Sequence, residues 1–250
     1  MRSVLVEALR LLCESDRAID ALLSAGGCRR RFYSTKGQDR WVVDRLFNRR
    51  RGGYFVEVGG GDGRTHSNTY VLERDYNWTG VVIEANPYYI PALRRYRTCH
   101  CVQCCVDSQE AEIEFFQFGF VGGIVASDTD NAPHKRGMVL ERHRHQLTRM
   151  QTASLQQVLE SVGAPAVIDY LSIDVEGAEH RVLESVDFDR FRFEALTIER
   201  PTAKVHRLLR QAGYILERTY RCDGFYVSQG LAAQLEINEL QFDGIRPKSF

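Results

Sequence analysis

The sequence predicts an α/β protein with a mostly parallel sheet of seven strands and helices on both faces. Three observations carry that prediction. From residue 34 onward, short apolar runs alternate with stretches of helical period, the pattern of a parallel sheet crossed by helices. One run, YFVEV at 54–58, passes straight into GGGDG; a strand ending in a glycine loop before a helix makes a nucleotide-type cradle. The strands also close on acids: Glu57, Glu84, Asp107, Asp174 and Glu199.

Residues 1–25 form an amphipathic helix (Val4, Leu5, Ala8, Leu11, Leu12) ended by Gly26-Gly27. Its charges set it apart from a signal peptide. The N-terminal extension is therefore 1–33, packing on the main domain or on a partner, with a homodimer as one use. Residues 34–48 predict a second helix with Trp41, Val42, Leu46 and Phe47 on one face. The cradle strand follows, and RTHSNTYVLER reads as the helix behind it. A continuous apolar run at 80–84 suits a buried parallel strand, and a helix at 88–96 follows Asn86-Pro87. Residues 101–106 predict the third strand, and the alternation at 112–118 an extra strand or hairpin. Residues 119–150 carry glycines, Pro133 and three histidines without a clear period. A long irregular insert of this kind is usually functional, so it is expected to be a substrate-side loop or lid. A helix at 154–161, a strand at 168–173, a helix at 177–186 and a strand at 195–198 come next. A helix from Pro201 to 212 and a closing antiparallel pair, 214–217 with 224–227, complete a domain over 34–250.

Lys+Arg and Asp+Glu are both 33, so no global charge draws the chain to nucleic acid or membrane. The arginine runs 29–31 and 49–51 read as solvated surface. No apolar run is long enough to span a bilayer. Seven cysteines, an odd number, suggest a reduced, cytoplasmic chain. Cys101-x-x-Cys104 has zinc-ligand spacing, and it would need His143 and His145 to complete a set; a third strand with cysteine as a small apolar residue accounts for it as well. Phe115, Phe116, Phe118 and Phe120 suit stacking on a base or sugar, and core packing explains them better.

Ligands of open α/β sheets lie beyond the carboxyl ends of the strands. Glu84, one helix and one strand after the glycine loop, is where a carboxylate holds a ribose diol; Asp107 is placed to meet an adenine amino group. Asp62 lies inside the loop, whose spacing is E-x-G-x-G-x-G. A carboxylate there repels a pyrophosphate and suits the ammonium and sulfonium of S-adenosylmethionine.

FVEVGGGDG, VVIEANP, TASLQQVL and YLSIDVEGAEHRVLES together resemble the FkbM family of class I S-adenosylmethionine-dependent methyltransferases. STKGQDRWV is similar to a Gln-Asp segment ahead of the domain in some members. The resemblance covers roughly 34–228. It implies a Rossmann-like class I methyltransferase fold and O-methylation of a sugar, glycan or natural-product hydroxyl. Glu57, Gly59, Gly61 and Gly63 would shape the methionine pocket, with Glu84 on the ribose and Asp107 at the adenine end. Asp62, Asn68, Ala85 and Ser108 complete the donor-binding set, and Asp174 would lie near the transferred methyl.

Asp174, Glu176 and Glu179 are the candidate catalytic residues. Glu176 and Glu179 share a face at a helix N-terminus, and capping accounts for one of them. Asp174 and Glu176 would orient the acceptor hydroxyl or take its proton. A divalent cation such as Mg²⁺ on Asp174, Glu199 and either Glu176 or Glu179 is a further expectation; His66 and His180 are alternative bases. Two other functions stand beside the enzyme reading. One is a non-catalytic binding or scaffold module. The other is methylation of an RNA ribose hydroxyl, against which the zero net charge and the missing K-D-K-E-like set count.

Overall fold

The computed structural model describes residues 32–240. The expected N-terminal helix and the arginines at 29–31 lie outside them. By compactness the chain divides at Phe32/Tyr33, and the fold below is that of the unit beginning at Tyr33.

The unit opens with α1, Gln38–Arg40, which widens into a π-helical turn, Trp41–Leu46. Burial falls on Trp41, Val42, Val43 and Leu46, and Phe47 is at the rim. The main sheet has seven strands in the order β10-β11-β9-β8-β1-β2-β3. They are β1 (Tyr54–Val58), β2 (Thr79–Glu84), β3 (His100–Gln103), β8 (Val167–Ile173), β9 (Arg192–Glu199), β10 (Tyr214–Tyr220) and β11 (Asp223–Ser228). β1, β2, β3, β8 and β9 are parallel; β11 runs antiparallel between β9 and β10. The expected closing pair is therefore β10 and β11. The helices between the strands are α2 (Tyr70–Tyr76), α3 (Ile90–Tyr96), α4 (Pro133–Arg142), α5 (Leu155–Ser161), α6 (Glu179–Glu184), α7 (Ala203–Gln211) and, after β11, α8 (Gln229–Leu235).

Side chains alternate across the strands with period two. Val56, Val58, Leu171, Ile173, Leu196 and Ile198 point to one face and pack with Leu155, Leu159, Val182, Leu183, Val205 and Leu209 of α5, α6 and α7. On the other face Phe225 meets the Trp41 ring edge-on at 5.0 Å. β1 is central because it is apolar toward both layers. The chain leaves it one way for β2 and β3 and the other way for β8 and β9, so the sheet's switch point, and the crevice it opens, lies at the β1/β8 ends.

Several expectations change. The helix behind the glycine loop starts at Tyr70, not at residue 64, because the Glu57 carboxylate accepts from Asn68 N, Ser67 Oγ and Thr69 Oγ1 and holds that stretch as a loop. His66 is accordingly not helical; its φ is 63° and it bridges to Ser34. The third strand is two strands: after β3 the chain bends at Cys104, and β4 (Cys105–Val106) joins a second, four-stranded sheet, order β4-β7-β5-β6. Its other members are β5 (Glu112–Phe116), β6 (Gly123–Ile124) and β7 (Leu147–Ala153). The 119–150 insert is consequently not irregular throughout, for it holds β6, α4 and the start of β7. Its buried anchors, Ile124, Ala132 and Leu140, are too widely spaced to show a period. α6 begins at Glu179, two residues later than expected, since Glu176 (φ 57°) and Gly177 (φ 97°) are left-handed. Among the described residues no helix is long and apolar enough to cross a membrane.

Candidate active site

β1 ends at Val58, and the next backbone turn needs glycine twice over. Gly59 has φ 86°, and a Cβ there would lie 1.9 Å from the Asp174 carbonyl oxygen. A side chain would push the β1 and β8 ends apart. Gly59 N and Gly60 N donate to Ile83 O, and Gly61 N donates to Glu84 Oε2 at 2.7 Å. Asn86 N donates to the other Glu84 oxygen at 2.6 Å. Burial pushes the Glu84 carboxyl above the usual range, and those two N–H groups pull it back.

Gly59, Gly61, Glu84, Ala85, Asn86, Tyr89 and the turn 119–124 line a pocket with about 620 Å³ of empty space, part of it open to solvent. Asp174 and Glu176 form its far wall. Phe120, 48% exposed, stacks on Tyr89 with centroids 4.8 Å apart. A Cβ on Gly61 would meet the Phe120 ring at 2.7 Å. Burial, then Glu84 and Asp62, push the Tyr89 hydroxyl up to about 12. Phe115 also lines the pocket, whereas Phe116 is core and Phe118 stacks on it.

The other expected donor residues stand around this lining rather than in it. Glu57 is buried and spends its oxygens on Ser67, Asn68, Thr69 and Arg97. Asn68 Nδ2 donates to Ser172 Oγ at 2.7 Å. Asp62 accepts from Arg64 N, Thr65 N and Thr65 Oγ1, which closes the loop on itself. Gly63 makes room for Leu93 and Arg97. Asp107, on β4's departing strand end, accepts from Arg181 Nη1 at 3.0 Å and from Ser108 N at 2.7 Å.

Asp174, Glu176 and Glu199 each offer an oxygen within 4.8 Å of the others. Burial, then Glu199 and Glu176, push the Asp174 carboxyl well above the usual carboxylate range. Burial also acts on Glu199, but the hydrogen bond from Asp174 and the charges of Arg200 and Lys36 outweigh it and hold Glu199 below its usual range. Of the pair, Asp174 is therefore the one that takes up a proton more readily, and Glu199 the one that stays ionised. Glu176 Oε2 accepts from Arg200 Nη2 at 2.9 Å. Glu179 faces the backbone, accepting from Gly177 N at 3.0 Å and Val175 N at 3.3 Å. It braces the turn ahead of α6 and does not cap the helix, and burial pushes it up to about 7.

Residues 57–220 match the family described as Methyltransferase FkbM domain. The chain belongs to that family. Membership brings methyl transfer from S-adenosylmethionine with it. A comparison with curated proteins gives no match. Among solved structures, a precorrin-6y C5,15-methyltransferase from Geobacter metallireducens GS-15 is similar at 12% identity, over 76% of this chain and 85% of that one, with a TM-score of 0.41. A TehB-like methyltransferase from Corynebacterium glutamicum is similar at 12% identity, over 86% and 97%, with a TM-score of 0.40.

In this FkbM methyltransferase the donor set for a divalent cation does not fit the expectation. Both Glu199 oxygens already meet cations, Lys36 Nζ at 3.1 Å and Arg200 Nη2 at 2.6 Å, and Glu176 meets Arg200. Glu179 belongs to the backbone. A hard cation needs several convergent oxygens that fixed charges do not already hold. Cys101 and Cys104 enter neither of the metal-capable groups found among the described residues. His180 Nε2 is 3.2 Å from Asp128, and the His66 ring is 5.8 Å from Phe120 at the pocket rim. Sequence reasoning missed Tyr89, Lys36, Cys222 and Asp223. Only STKGQD carried a signal for Lys36, and nothing local marked its destination.

Proposed function

We propose that the chain is an S-adenosylmethionine-dependent O-methyltransferase acting on a hydroxyl of a small-molecule or glycan acceptor. The observation that carries this reading is Asp174: its backbone carbonyl abuts the glycine turn, the residue lines the pocket, and its carboxyl binds a proton more tightly than an ordinary aspartate. A hydroxyl is a weak nucleophile until a base takes its proton, and a base works best when its pKa lies near the working pH.

The pocket fits the donor. Gly59 and Gly61 bring backbone to the pocket lining, Glu84 offers carboxylate oxygens to a diol, and Asp174 and Glu176 set negative charge against an ammonium and a sulfonium. When bound, S-adenosylmethionine supplies an electrophilic methyl on a sulfur that keeps the electron pair of the broken C–S bond. Glu84 holds the ribose, and the Tyr89–Phe120 stack walls the site. Asp174 takes the hydroxyl proton as the oxygen's electrons form the new C–O bond, and Glu199 accepts a hydrogen bond from the protonated Asp174. The five described cysteines are free thiols, in keeping with a cytoplasmic setting.

Calorimetric titration of the full chain with S-adenosylmethionine tests the donor site. Wild type is expected to bind, and Glu84→Ala to bind at least about 10²-fold more weakly, from the loss of charge-assisted hydrogen bonds. Absence of binding to wild type would leave a scaffold rather than an enzyme. A labelled-methyl screen over glycans, small phenols and RNA then identifies the acceptor, with transfer to RNA overturning the small-molecule or glycan reading.

A further inference from the structure

Glu199 belongs to two carboxylate groups at once. On the pocket side it stands with Asp174 and Glu176; on the other it stands with Cys222 and Asp223. Asp130 joins through Arg200. That is five carboxyl groups in a largely buried cluster, and buried charge without compensation is costly. Lys36 enters the second group. Its side chain is 9% exposed, and its Nζ lies 2.7 Å from Asp223 Oδ1 and 3.1 Å from Glu199 Oε1. The placement is braced: buried Gln38 donates from Nε2 to the other Asp223 oxygen at 2.7 Å and accepts from Lys36 N at 3.0 Å. Arg200 spans Glu176, Glu199 and Asp130 from the opposite side. Lys36, Gln38, Cys222 and Asp223 all fall outside the 57–220 stretch that matches the family.

We infer that Lys36 is a positioning residue of the reaction centre, a fixed cation that with Arg200 occupies the place a divalent metal would take among Asp174, Glu176, Glu199 and Asp223. It acts through Glu199. A positive charge fixed on Glu199 keeps that carboxylate ionised, so the proton taken from the acceptor comes to rest on Asp174 and is held there by a hydrogen bond to Glu199. Burial pulls the Lys36 ammonium down, but Asp223 and Glu199 outweigh it and keep it charged. Methyl transfer at this centre is therefore independent of added metal.

The inference rests on the O-methyltransferase reading for its role in turnover, but its first test does not need an acceptor. Mn²⁺ is titrated into full-length wild type, Lys36→Met and Lys36→Arg, with melting temperatures recorded for each. Wild type and Lys36→Arg are expected to show no Mn²⁺ site, while Lys36→Met, with Asp223 and one Glu199 oxygen left unneutralised, gains one that binds at least about ten-fold more tightly than any uptake by wild type. A folded Lys36→Met that gains no site overturns the inference. So does a wild-type Mn²⁺ site that disappears in Glu199→Gln, an arm that stands even where Lys36→Met does not fold. Once an acceptor is in hand, EDTA should leave wild-type turnover unchanged, and Lys36→Met should lose roughly ten-fold in kcat with little change in KM for the donor, restored by the arginine variant. Failure of wild type to bind S-adenosylmethionine would sink the enzyme reading instead, and the two failures are read on separate titrations.

Discussion

The two walls of the pocket are built in different ways. The proposed donor wall, at the ends of β1 and β2, comes from Gly59, Gly61, Glu84, Ala85, Asn86 and Tyr89 and is largely backbone: glycines, N–H groups and one carboxylate they hold. The acid wall, at the ends of β8 and β9, presents Asp174 and Glu176 to the pocket, and behind them stand side-chain charges at positions 36, 199, 200 and 223, drawn from both ends of the domain. A backbone cradle tolerates almost no added volume but is indifferent to charge. A charge cluster tolerates conservative changes of shape but not the loss of a partner. The same pocket should therefore fail in two distinguishable ways.

The largest effect should come from adding one methyl to the donor wall. Gly59→Ala sets a Cβ against the Asp174 carbonyl at a φ that disfavours side chains. A cost on the order of 4 kcal/mol is expected from overpacking and backbone strain together, seen as a lower denaturation midpoint and lost donor binding. Normal stability there would mean that the two strand ends are free to separate.

The acid wall should respond in rate instead. Asp174→Asn keeps the shape and resembles the protonated form that burial already favours, so the fold should hold while kcat drops roughly 10²-fold or more. In wild type, kcat should fall as pH drops through the Asp174 pKa, and that limb should lie above the ordinary carboxylate range because the folded value is raised. A limb near pH 4 would contradict the arrangement of Asp174 between Glu199 and Glu176.

The smallest effect separates Glu179 from the acids proposed to be catalytic. Glu179 is raised from 4.5 to about 7 by burial. Between those values the folded state holds a proton that the unfolded chain has released, so its contribution is complete below pH 4.5 and is lost as pH rises through 7. Wild type should lose about 2 kcal/mol across that window relative to Glu179→Gln, below the ceiling of ~3 kcal/mol set by the shift. Equal pH dependence in both proteins would place the proton elsewhere.

Much of this was legible locally. The YFVEV run, the glycines and Glu84 are neighbours in sequence or one β–α step apart, and a parallel sheet with short connections brings such residues to one edge. The bend at Cys104 was not legible, because a continuous apolar run fits one strand or two in different sheets equally well. His66 was misread as helical because the residue that forbids the helix, Glu57, acts from the strand before it. Phe120 passed for core, since an aromatic in a Phe-rich stretch shows no sign of facing a glycine far upstream.

The sequence by itself determined the parallel sheet and the glycine turn that follows its first strand, because period-two burial and glycine's missing side chain are local properties. Only the tertiary structure decided which acids face the pocket, which one braces a turn, and that Lys36 stands between Glu199 and Asp223. Charges are felt through space, and the antiparallel insertion of β11 beside β9 is what brings residues 36, 199 and 223 to one point.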